Sequence, residues 1–136
     1  MDVDLDALYA VLVRWIVDGK AHYQPYAKLS EDYEARTGVH FDPHGSWDIP
    51  LGALNQRLSR AGAPALSALV VLKSSLREGP EPGSGFWGSA DTVPSRPRNA
   101  MARLEAWSRI VSDIERYDWP DSLAALTHRV PAGRPD

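Results

Sequence analysis

Cysteine is absent from this 136-residue chain, which removes disulfide staples, thiolate zinc sites and cysteine nucleophiles together. No apolar run approaches the roughly 20 residues of a membrane helix, and the acidic start lacks the basic segment of a secretory signal. The expectation is a cytoplasmic protein without a membrane span. No Gly-rich phosphate loop, serine nucleophile elbow or paired carboxylate stands out, so the chain reads as non-enzymatic and free of cofactors. The length suits one compact domain that buries a core without staples.

Acid is the other scarcity, and it is local. Between Asp48 and Glu78 there is no Asp or Glu, while Arg57, Arg60, Lys73 and Arg77 lie inside. The window Ile49 to Arg77 therefore carries +4, which leaves −7 on the rest of a chain whose formal net charge is −3. A negative total argues weakly against a general polyanion binder, but a window without carboxylates suits a surface that meets phosphates.

What is present is helical periodicity. Asp4 can cap a helix whose stripe is Leu5, Leu8, Tyr9, Leu12, Trp15 and Ile16, stopped by Gly19. A second helix is predicted from about Pro25 to Thr37, with Tyr26, Leu29 and Tyr33 on one face and Gly38 after it. "VHFDPHGSW" has loop chemistry. Asp48 then reads as the cap of a third helix with Pro50 in its first turn, Leu51, Leu54 and Leu58 on its stripe, and Gly62 and Pro64 behind it. Leu66 to Leu72 reads as a buried strand, the Gly/Pro segment 79–85 as a tip, and Phe86-Trp87 as a returning strand. Ser95 can cap a long fourth helix carrying Met101, Leu104, Trp107, Val111 and Ile114 and ending before Trp119-Pro120. One domain over 1–120 is expected, with 121–136 a loose tail.

The fold class implied is α+β and mostly helical: three helices, a β-hairpin wing and a long C-terminal helix, in winged helix-turn-helix order. That likeness of element order covers roughly residues 1–90, and the alkyltransferase and alkyltransferase-like DNA-binding domain gives a narrower one. Tyr26-Ala-Lys-Leu29 resembles that family's Y-G-x-[LV]-A helix start and Leu51-Gly-Ala-Leu54 its V-G-x-A recognition helix. Gly83-Ser-Gly-Phe-Trp-Gly88 is similar to its wing glycines, and Arg103-Leu-Glu105 to its closing L-L-x-x-E helix. Where the family has Pro-Cys-His-Arg or a variant of it, this chain reads Ala65-Leu-Ser-Ala-Leu69, with neither nucleophile nor histidine. The resemblance thus implies shape and DNA contact without alkyl transfer.

In such folds the third helix enters the major groove and the wing touches the backbone. Asn55, Gln56, Arg57, Ser59 and Arg60 are then the readers, since Arg pairs with guanine and Asn or Gln with adenine. Lys73 and Arg77 at the wing base, joined by Arg96 and Arg98, would neutralise phosphates, while Glu78 and Glu81 oppose them. The function read from this is a DNA-binding module in regulation, genome defence or phage biology, using helix 50–61 and wing 74–85. The alternative is a protein-interaction, adaptor or inhibitor domain on the same fold. Its motives are the acidic pI of about 5.8 and the aromatic edges Trp47, Phe86, Trp87 and Trp119, and a stripe of Trp107, Ile110, Val111 and Ile114 is read as a candidate protein-partner or homodimer surface. A third reading, a metal-dependent hydrolase, rests only on His40, Asp42 and His44, with His22 apart. Pro43 and Gly45 deny those rings a helical register, so no metal is expected.

Overall fold

The computed structural model describes residues 3–18, 23–42, 47–72 and 81–127. These residues are mostly helical, with five α-helices and one small parallel sheet. Helix α1 (Leu5–Asp18) is capped as its sequence predicts: Asp4 Oδ1 accepts from the Asp6 and Ala7 N–H groups at 3.0 and 3.3 Å. It buries Leu8, Tyr9, Leu12 and Trp15, and Trp15 Nε1 donates to Asp32 at 2.7 Å. That bond fastens α1 to α2 (Tyr26–Thr37), which begins after Pro25 and ends at left-handed Gly38.

Helix α3 (Asp48–Arg60) starts one residue before the register expected, with Trp47 rather than Asp48 at its N-cap. Trp47 is fully buried against Phe41 and Tyr33, and its indole donates to Ser30 Oγ at 2.8 Å. Helix α4 (Ala100–Arg116) is capped by Asn99, whose Oδ1 accepts from the Met101 and Ala102 N–H groups, and not by Ser95.

The expected hairpin is the main correction. Leu66–Leu69 forms a 3-10 turn, and only Val70–Val71 is a strand, β2. It pairs in parallel with β1 (Gln24–Pro25), in the register Gln24↔Val70 and Pro25↔Val71. The strand is confined to the two β-branched residues of the segment. The backbone before it is satisfied by side chains instead of a ladder: Asn55 accepts from the Ser67 N–H and Trp107 Nε1 donates to the Ala68 carbonyl. Phe86-Trp87 is no strand either, since Ser84–Phe86 is a second 3-10 turn. Among the described residues the hairpin is represented by its base, an antiparallel bridge Val71↔Pro82 with the Leu72 N–H donating to the Glu81 carbonyl.

Two further expectations change. The segment called a loose tail begins with helix α5 (Leu123–Thr127), whose Leu123 and Leu126 are fully buried; residues 128–136 lie outside the described set. The stripe offered as a dimer surface is core: Trp107, Val111 and Ile114 are buried and Ile110 packs against them. One side of α4 cannot serve both purposes. The buried residues of all these elements form a single cluster, and no helix among the described residues is long and apolar enough to cross a membrane.

Candidate nucleic-acid interface

Helix α3 packs through Pro50, Leu51, Leu54, Asn55 and Leu58. Helical geometry then turns Ile49, Ala53, Gln56 and Arg60 outward in one ridge. Ile49 is 73% exposed. Arg57 and Ser59 flank the ridge, half-buried. Among the described residues neither Arg57 nor Arg60 forms an ion pair. The small Gly52 and Ala53 leave the middle of the helix low, with open space above Gly52.

Asn55 is not a reader. It is buried, and its amide joins three elements: Nδ2 donates to Ser67 Oγ at 2.6 Å and to Ser89 Oγ at 2.9 Å, while Oδ1 accepts from the Ser67 N–H. The sequence puts Asn55 on the faces left free by the leucine stripe, and its partners 12 and 34 residues away turn it inward. Lys73 and Arg77 lie outside the described residues, as do 74–80 of the expected wing.

The described end of that wing is tightly anchored. Glu81 meets Arg103 Nε at 2.6 Å and Arg96 Nη2 at 3.5 Å, so Arg96 already faces a carboxylate. Arg98 is exposed, and its carbonyl accepts from Arg103. Gly83 and Gly85 lie so close to Tyr26 and Asp48 that a Cβ would stand 2.5 Å from the Tyr26 hydroxyl and 2.6 Å from Asp48 Cγ. Burial and the Asp48 charge push the Tyr26 phenol up to about 12, against a hydrogen bond with the Gly83 backbone. The space enclosed by Tyr26, Asp48, Asn55, Ser67 and Gly85 is only about 10 Å³, the scale of one water.

Sequence reading missed the turn that follows Trp87. Gly88 adopts φ +72°, its N–H donates to the Pro94 carbonyl at 2.9 Å, and the Val93 N–H donates to Ala90. Gly88, Ser89, Ala90 and Asp91 thereby form a wall opposite Gln56, Ser59 and Arg60, across a polar groove of about 400 Å³. The only local signal was a glycine followed by polar residues, which marks a turn but not what it faces.

His40 Nδ1 lies 2.7 Å from Glu34 Oε1 on the surface, and His22 and His44 are outside the described residues. Among the described residues no three His, Asp or Glu side chains converge. Compared with family models, curated proteins and solved structures, the chain matches none.

Proposed function

We propose that the chain is a non-enzymatic DNA-binding module of winged-helix type that presents α3 to the major groove of duplex DNA. One observation carries the reading: an outward ridge on α3 bearing Gln56 and Arg60, flanked by Arg57, with both arginines free of ion pairs among the described residues. Arg and Gln offer the paired hydrogen bonds that distinguish bases, and Ile49 and Ala53 can meet thymine methyls. The helix order over residues 1–90 and the motif resemblance point the same way. Of the aromatic edges that motivate the protein-docking alternative, Trp47, Phe86 and Trp87 are buried and Trp119 is half-buried, so the alternative rests on less surface than its sequence suggested.

Few cations face outward here, so binding is weak and salt-sensitive, with a nonspecific Kd of about 10⁻⁴–10⁻⁶ M. Fluorescence anisotropy on labelled duplexes at about 50 mM salt tests this. The wild type binds, and the Arg57→Ala, Arg60→Ala double variant loses at least about tenfold with a shallower salt dependence. Equal binding by the two proteins, or none by the wild type, refutes the reading.

A further inference from the structure

We infer that the groove between α3 and the Gly88–Asp91 turn is a seat for the major-groove edge of a G·C pair, with Arg60 on guanine and Asp91 on cytosine. The inference rests on the DNA reading above and adds a base preference to it.

The groove has two walls of opposite charge. Arg60 stands on one and Asp91 on the other; both are exposed, and no ion pair joins them. The second wall has a built position. Ser89 accepts from the buried Asn55 amide, so a polar side chain inside the core is committed to holding this turn against α3.

A groove meant for phosphate would carry donors only. Asp91 accepts hydrogen bonds and repels a phosphodiester, so it needs a donor as its partner. The guanidinium offers a fork of donors and no acceptor, and so needs two neighbouring acceptors. In the major groove a G·C pair presents guanine N7 and O6 side by side, followed by the cytosine N4 amine. An A·T pair presents acceptor, donor and acceptor beside a methyl group, which leaves the fork with one partner and the carboxylate facing an acceptor or the methyl. A fork of donors on one wall and an acceptor on the other are the groups that the first pattern needs.

The test selects duplexes from a randomised pool with the full chain, then measures affinities at one salt concentration for wild type, Arg60→Ala and Asp91→Ala. Wild type prefers G·C over A·T at one position by about 5- to 150-fold. Both variants lose that preference at that position. Asp91→Ala keeps the salt dependence, and its unchanged thermal unfolding confirms that the exposed substitution leaves the fold intact. If no duplex binds the wild type, the DNA reading fails and this inference with it. If the wild type binds but Asp91→Ala keeps every base preference, or tightens uniformly on all sequences, this inference alone fails.

Discussion

At the scale of single residues, the side chains that matter most for folding are the polar ones inside. Removing the Asn55 amide leaves the Ser67 N–H and two buried or half-buried hydroxyls with fewer partners. Asn55→Ala should therefore cost about 1–3 kcal/mol in urea unfolding, whereas Gln56→Ala on the exposed ridge should stay within about 0.5 kcal/mol. Two of the five tryptophans divide in the same way. Trp107→Phe strands the Ala68 carbonyl, which its indole N–H now reaches at 2.7 Å. Trp87→Phe removes a buried donor that has no acceptor among the described residues, so it forfeits no hydrogen bond there and should cost less. Tyr26 sets a pH limit. Its phenol titrates near 10 when unfolded and near about 12 when folded, so its contribution is complete below pH 10 and is lost as pH rises through the folded value. Stability measured from about pH 9 to about pH 11 should fall less steeply in Tyr26→Phe than in the wild type.

At the scale of elements, the helices were legible and the ribbon was not. Helices α1, α2 and α3 announce themselves because leucines and aromatics recur with the helical period and Asp4 and Gly38 punctuate them. The segment 66–72 is continuous in hydrophobicity, and hydrophobicity alone cannot tell a strand from a tight turn. What decides it is long-range: Asn55 and Trp107 capture the Ser67 and Ala68 backbone groups that a ladder would have used. The same limitation applied to the candidate interface. The outward ridge of α3 followed from its leucine stripe, but the inward turn of Asn55 and the wall formed by Ser89 and Asp91 depend on contacts that no local pattern encodes. The glycines of 83–85 have a further reason to be glycine. A Cβ at Gly85 would press on Asp48 at the start of α3, and Gly85→Ala should cost about 1–3 kcal/mol in equilibrium unfolding. Gly52→Ala meets open space on a helix and should raise stability by about 0.5–1 kcal/mol.

At the scale of the whole molecule, one core is shared by elements from both ends of the chain. Helix α5 packs on α1 and α3, and Tyr9 Oη donates to the Pro120 carbonyl at 2.6 Å. Composition made the C-terminal residues look expendable, because two leucines in a short polar stretch give too little periodicity to register. Leu126→Ala should instead cost about 2–5 kcal/mol, the range of a core leucine, with a matching drop in the urea midpoint. The closure of α5 onto α1 has a kinetic consequence. During synthesis the first helix emerges with its apolar face uncovered, and its last partner leaves the ribosome more than a hundred residues later. Until α5 has been made, the nascent chain therefore carries an unfinished hydrophobic surface on α1 and α3, a longer exposure than a helix paired only with its sequence neighbour would have.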